Sequence, residues 1–168
     1  MQPTPRTSVT PTLHLVCGKI ASGKSTLTAR LAAAPHTVRI SEDSLLAQLY
    51  PGQIASLADY MTCAARLRAA IAPLALQMLQ AGVSVVLDFP ANTPASRAWM
   101  HDLFLQAGVP HVLHYLDVPE EECKARLRQR NASGLHPFST SDAEFDAITR
   151  HFVPPSEAEG FHVVRIAA

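Results

Sequence analysis

Eight residues constrain this chain more than all the rest: Gly18-Lys19-Ile20-Ala21-Ser22-Gly23-Lys24-Ser25 fit the pattern G-x-x-x-x-G-K-[ST]. The apolar run Leu13-His14-Leu15-Val16-Cys17 precedes them, and Thr26 to Ala34 follows with Leu27, Leu31 and Ala34 at helical spacing. Strand, glycine-bounded loop and helix in that order form the unit that wraps phosphates. Glycines at the loop's ends let the backbone curl so that successive N–H groups point inward, where the positive end of the helix adds to them. The predicted phosphate contacts run through Gly18, Lys19, Ile20, Ala21, Ser22 and Gly23 to Lys24, Ser25 and Thr26. Lys24 would reach the β- and γ-phosphates of a nucleoside triphosphate, pointing into solvent when none is bound, and Ser25 would offer its hydroxyl to Mg²⁺.

The remaining sequence alternates strand and helix signals. Thr37-Val38-Arg39-Ile40-Ser41 reads as a second strand, followed by the polar cluster Ser41-Glu42-Asp43-Ser44 and a short helix to about Tyr50. Ser56 to Ala81 keeps a helical apolar period, with Pro73 expected to kink or split it. Val83 to Phe89 is a continuous apolar run of the kind found in an inner parallel strand. Thr93-Pro94 should open a helix that Gly108 closes. His111 to Val118 supplies a fourth strand, Pro119-Glu120-Glu121 the start of an arginine-rich helix, and His162 to Ile166 a last strand. Such alternation, with right-handed crossovers, implies an α/β protein: a parallel, three-layer α/β/α sandwich.

Composition sets bounds on partners. At 168 residues and 48% hydrophobic, the chain can bury one substantial core, so Met1 to Thr12 reads as a flexible lead-in and residues 13–168 as a single domain. Fourteen acidic residues balance fourteen basic ones, so there is no overall field to hold the protein on nucleic acid or an anionic membrane. Cys17, Cys63 and Cys123 are scattered and odd in number, which argues against a disulfide framework and for a reducing, cytoplasmic setting. No apolar run approaches the length of a membrane span. His111 and His114, three apart on a strand, point to opposite faces and cannot share a metal.

Two carboxylates and two arginines complete the candidate machinery. Ligands of an open parallel sheet collect beyond the carboxyl ends of its strands, where the loop at Gly18 also lies, so Asp43 and Asp88 should both face the γ-phosphate. Asp88, after Val85-Val86-Leu87, has the form of an acid that holds Mg²⁺ or its water shell. Asp43 would then be free to accept a proton from an acceptor hydroxyl, although capping the helix near Ser44 would also account for it. In the Cys123 to Asn131 segment, Arg126 and Arg130 are four apart and share a helix face, suited to neutralising a migrating phosphoryl group or simply to facing water. Ala132 to Ser141, with Gly134 and Pro137, could be a lid that closes, and His136 lies within it.

Together these residues resemble the small P-loop kinases related to the kinase domain of polynucleotide kinases, chloramphenicol phosphotransferase and zeta toxins. The shared features are the P-loop, Ile40-Ser41-Glu42-Asp43, Val85-Val86-Leu87-Asp88, Arg97 after Asn92-Thr93, the arginines of Arg126 to Arg130, and Pro154 to Phe161. Many small kinases carry glycine where this chain has Ala21. The resemblance implies a five-stranded sheet of order 2-3-1-4-5 with a lid, ATP and Mg²⁺ at Lys24 and Ser25, Asp43 as general base, and Arg126 and Arg130 as lid arginines. The implied activity is transfer of the γ-phosphoryl group of ATP to a hydroxyl of a small-molecule acceptor. The acceptor pocket would be built from the Asp43 to Arg68 segment and Arg97, with Arg66 and Arg97 as substrate contacts. No arginine follows Asp88-Phe89-Pro90, against a nucleotide acceptor bound as in nucleoside monophosphate kinases, and the Ser56 to Arg68 segment offers only Tyr60, Arg66 and Arg68 towards a nucleic-acid groove. A 5′-hydroxyl nucleic-acid kinase, a toxin-like sugar-nucleotide kinase and an ATP-binding switch remain the alternatives.

Overall fold

The carboxyl ends of five parallel strands carry the loops that matter for function. The computed structural model describes residues 10–134 and 139–167. Its strands are β1 (Leu13–Gly18), β2 (Thr37–Ser41), β3 (Ser84–Asp88), β4 (His111–Asp117) and β5 (Val163–Ala167). They form one sheet in the order β2-β3-β1-β4-β5, as the resemblance implied. Register is parallel throughout, with Leu15 opposite Leu87, Ser41 opposite Asp88 and Gly18 opposite Leu116. Pairing begins just before β1, where Thr12 accepts from the Val85 amide at 3.1 Å.

Among the described residues six α-helices cover the sheet: α1 (Lys24–Ala32), α2 (Glu42–Leu49), α3 (Leu57–Gln80), α4 (Pro94–Ala107), α5 (Glu120–Ser133) and α6 (Asp142–Thr149). One face of the sheet packs Leu13, Leu15, Val85 and Leu87 against Leu46, Leu67, Ile71, Leu79, Met100 and Leu103 from α2, α3 and α4. The other packs Val16 and Leu116 against Leu27, Cys123, Leu127 and Phe145 from α1, α5 and α6. Alternation along β1 explains the division, since successive side chains point to opposite faces. All three cysteines are free and buried.

Local chemistry explains most helix boundaries. Thr93 caps α4 by accepting from the Ser96 amide, Pro94 fills the first turn, and Gly108 ends the helix in the left-handed region at φ 63°. Three glutamates occupy the first turn of α5, next to the positive end of the helix dipole. Pro73 does not split α3, a correction to the sequence reading. One lost backbone bond is outweighed there by an apolar stripe that continues across it, with Leu67 and Ile71 before the proline and Ala75 and Leu79 after it. Helix α6 was not foreseen. Ser141 and Glu144 form its capping box, each side chain accepting from the other's backbone amide.

Candidate functional site

The phosphate loop leaves the first amides of the following helix available, while its Gly18 and Ser22 amides donate to Asn92 Oδ1 and the Lys19 carbonyl. Gly23 precedes α1 at φ 102° and no side chain caps the helix, so the first amides of α1 face outward. Gly18 cannot carry a side chain: a Cβ there would lie 2.6 Å from Ser22 Oγ and 3.1 Å from the Leu116 carbonyl. Ala21 adopts φ 59°, a left-handed conformation that costs a non-glycine residue about 1 kcal/mol. Lys24 is folded inward, not out into solvent as the sequence reading expected. Its Nζ donates to the Gly18 and Lys19 carbonyls at 2.6 Å each. Burial pushes the Lys24 pKa down, an effect that the nearby thiols and carboxylates partly oppose.

Around this loop lies a pocket of about 720 Å³ at the carboxyl ends of β1, β2 and β3. Lys24, Arg39, Arg126 and Arg130 line it together with Asp43 and Asp88, an excess of positive charge suited to a polyanion. Ile20, Ala21, Gly23, Ser25 and Thr26 also face it. The structure thus brings together most of the residues that the sequence singled out.

Asp88 ends β3 half-buried, and burial raises its pKa while Arg39 and Thr28 hold it down. Thr28 Oγ1 donates to its carboxylate at 3.3 Å and Arg39 Nε stands 3.9 Å away, so neither partner grips it closely. A weakly paired carboxylate facing the same pocket as the Ser25 hydroxyl fits Mg²⁺, whose coordination favours one or two carboxylates, a hydroxyl and retained water. Two orphaned buried atoms nearby, Ser22 Oγ and Arg130 Nε, have no partner among the described residues.

Asp43 stands exposed in the first turn of α2. Capping there falls to Ser41, whose side chain accepts from the Ser44 amide. Its neighbour Glu42 turns the opposite way and is 1% exposed. Tyr60 donates its hydroxyl to Glu42 Oε1 at 2.5 Å and Arg68 Nε donates to Oε2 at 3.3 Å, locking the first turn of α2 onto α3. Burial and the Glu42 contact push the Tyr60 pKa up.

Arg126 bridges α5 to the loop, donating through Nη1 to the Ser22 carbonyl at 3.3 Å and through Nη2 to Glu122. Residues 135–138 of the expected lid, His136 and Pro137 among them, lie outside the described residues. The flanks of that segment approach one another, since Asn131 Nδ2 donates to the Thr140 carbonyl at 2.7 Å and Thr140 lines the pocket.

Two expected acceptor contacts need correction. Arg97 is fully buried and cannot reach a ligand. Its Nε and Nη2 donate to Glu159 at 2.6 and 2.8 Å, and Nη1 donates to the Ala91 and Val153 carbonyls at 2.9 Å each. It is a clamp between α4 and the C-terminal segment. Arg66 is exposed on α3 and is not among the residues lining the pocket. Conversely, sequence reading passed over Arg39, Thr28 and Asn92. Asn92 Oδ1 accepts from the Gly18 amide at 3.1 Å and so fixes the entry to the loop. Nothing in their spacing marks them, because each acts through a partner distant in the chain.

His111 and His114 point to opposite faces of the sheet, as their spacing predicts, with His111 stacked on Phe104 and His114 on His14. His14 Nδ1 and His114 Nε2 lie 3.1 Å apart. Among the described residues no group of three or more His, Cys, Asp or Glu side chains could hold a metal, and no helix is long and apolar enough to cross a membrane.

A strand, phosphate loop and helix at the centre of a 2-3-1-4-5 parallel sheet define a P-loop protein with the fold of the P-loop kinases. The chain belongs to the AAA_33 family, an AAA domain family whose profile matches residues 13–155. Among solved structures, a Chloroflexus aurantiacus J-10-fl protein provisionally described as a kinase shares 22% identity at a TM-score of 0.70, over 94% of this chain and 85% of that one. The Mycobacterium tuberculosis APS kinase CysC, in complex with AMPPNP and APS, shares 19% identity at 0.60 over 94% and 88%. A chain of the Pnkp1/Rnl/Hen1 RNA repair complex shares 17% identity at 0.64, covering 89% of this chain and 46% of that one. No curated protein matches the sequence.

Proposed function

We propose that the protein is an ATP-dependent kinase that moves the γ-phosphoryl group to a hydroxyl of a small-molecule acceptor. The observation that carries this reading is the convergence of Lys24, Asp43, Asp88, Arg126 and Arg130 on one pocket at the carboxyl ends of the strands. AMPPNP in the APS kinase supports ATP as the donor. The loop amides beyond Gly18, whose own amide is engaged by Asn92, and the Lys24 ammonium would hold the triphosphate, Lys24 exchanging its two loop carbonyls for phosphate oxygens. Ser25 and Asp88 would hold Mg²⁺, which when bound neutralises phosphate charge.

Asp43, exposed at the pocket rim, accepts the proton of the acceptor hydroxyl as its oxygen bonds to the γ-phosphorus. The bond from that phosphorus to the β,γ-bridging oxygen breaks, and ADP leaves with the electron pair. Arg126 and Arg130 neutralise charge on the migrating group. An ADP-release screen with Mg²⁺ and ATP over alcohols, nucleosides, sugar nucleotides and oligonucleotides tests the reading. Release that rises with one acceptor and vanishes in Asp43→Asn supports it. Nucleotide binding without acceptor-dependent release by any class would instead favour a switch.

A further inference from the structure

Beside the phosphate pocket lies a second hollow of about 410 Å³ along the edge strand β2. Both surfaces share Arg39, Ser41 and Ser44, which bracket Asp43 in the chain. Beyond them the walls are apolar: Ile40 and Leu45 on one side, Ile71, Leu74 and Met78 of α3 on the other. Leu74 stands 48% exposed there, its side chain one of the aliphatic walls of the hollow. We propose that this groove binds the body of the acceptor, and that the acceptor is an uncharged, largely apolar alcohol whose hydroxyl emerges between Ser41 and Ser44 beside Asp43.

The placement of charge supports that choice. A phosphorylated or carboxylated acceptor needs a cation to replace its lost hydration. On this side of the molecule Arg68 is engaged by Glu42, Arg97 is buried against Glu159, and Arg66 lines neither hollow. Arg39, the one charged residue lining the groove, is shared with the phosphate pocket, where its Nε lies 3.9 Å from Asp88 and where it adds to the charge that faces the nucleotide. Lys24 and Arg130, which among the described residues have no carboxylate in salt-bridge range, line the phosphate pocket and belong with the nucleotide. An apolar body, by contrast, would shed water against five aliphatic and thioether side chains.

This inference rests on the kinase reading, and the test separates the two. The full chain, carrying ¹³C-methyl methionine, is titrated with phenethyl alcohol, cinnamyl alcohol and geraniol. ADP release is followed with the same alcohols, with a nucleoside monophosphate and with a sugar acid. The Met78 methyl signal should move with the alcohols while that of Met100, fully buried in the core, stays still. Leu74→Glu, at a site exposed enough to keep the fold, should cut alcohol-dependent ADP release by about tenfold or more, with a thermal melt as folding control. A silent Met78, or release driven by an anionic acceptor at the same rate in Leu74→Glu, overturns the proposal while leaving the kinase intact. A Met78 shift with no ADP release from any acceptor keeps the groove as an apolar-alcohol site and removes the kinase reading alone.

Discussion

Replacing Glu159 should unfold this protein more readily than replacing any exposed acidic residue. Its carboxylate is the counter-ion of Arg97, which is 0% exposed and donates to it twice. Glu159→Gln keeps the shape and one oxygen but leaves the guanidinium buried with its charge uncompensated. Removing one partner of a buried ion pair costs about 3–5 kcal/mol, and because Glu159 is itself partly reached by water we expect about 2–3 kcal/mol here. In a chain of this length that corresponds to a fall in Tm of about 5–10 °C. Arg97→Met should cost more, about 3–5 kcal/mol, because it also strands the Ala91 and Val153 carbonyls. Urea unfolding followed by circular dichroism gives both values. The pair also predicts a pH signature. Arg97 holds the Glu159 pKa below its ordinary value of 4.5, so its contribution is complete above that pH and is lost as the pH falls below it. Glu159→Gln should remove this part of the acid slope. A variant within about 0.5 kcal/mol of the parent, with the slope unchanged, would show that the clamp is worth no more than a surface ion pair.

Lys24→Ala should abolish Mg²⁺-ATP binding in calorimetry, and it should also lower the melting temperature slightly, since Lys24 bonds two loop carbonyls in this structure. Asp43→Asn should slow phosphoryl transfer by about 10²-fold or more with ATP affinity retained, whereas Asp88→Asn should raise the Mg²⁺ requirement, as activity against metal concentration would reveal. The His14–His114 pair should make the fold acid-sensitive in a separate window. Burial, then the neighbouring charges of His14 and Arg30, pushes the His114 pKa down to about 4, and burial alone lowers that of His14. The unfolded chain therefore takes up protons first, and stability should fall as the pH drops from 6.5 towards 4. After allowance for their half-exposed positions, about 1–2 kcal/mol is expected, and His114→Gln should flatten that part of a urea-midpoint profile.

What could be read from the sequence followed how local each signal was. The strands announced themselves as apolar runs bounded by turn residues, and Thr93-Pro94 and Gly108 marked α4 because caps act within one turn. The phosphate loop was legible for the same reason, as all its donors lie within a few residues. Arg97 was misread because its partners, Glu159 and the Val153 carbonyl, lie over fifty positions away, and a lone arginine in a helix looks alike whether it faces a ligand or the core. Glu42 and Asp43 are equivalent as adjacent acids, and only the packing of α2 on α3 decides which is buried and which is presented. Pro73 was over-weighted, because a propensity rule does not count the apolar stripe on either side of it. The unforeseen α6 had a local signal after all: Ser141-Asp142-Ala143-Glu144 is a capping-box pattern.

The two packed layers on opposite faces of the sheet have a consequence for how such a protein can change over generations. Lys24, Arg126 and Arg130 sit on α1 and α5, whose apolar sides pack with Leu27, Cys123, Leu127 and Phe145. Asp43 and the walls of the side groove ride on α2 and α3, packed with Leu46, Leu67 and Ile71 on the other face. Substitutions that reshape α2 or α3 can therefore accumulate with little strain passed to the phosphate loop, provided Cys17, Leu15 and their neighbours keep the sheet itself intact. Under the proposed kinase activity, new acceptors would be acquired by drift in one half of the molecule while the other went on handling the same nucleotide, and a library confined to Leu45, Ile71, Leu74 and Met78 would explore that freedom directly.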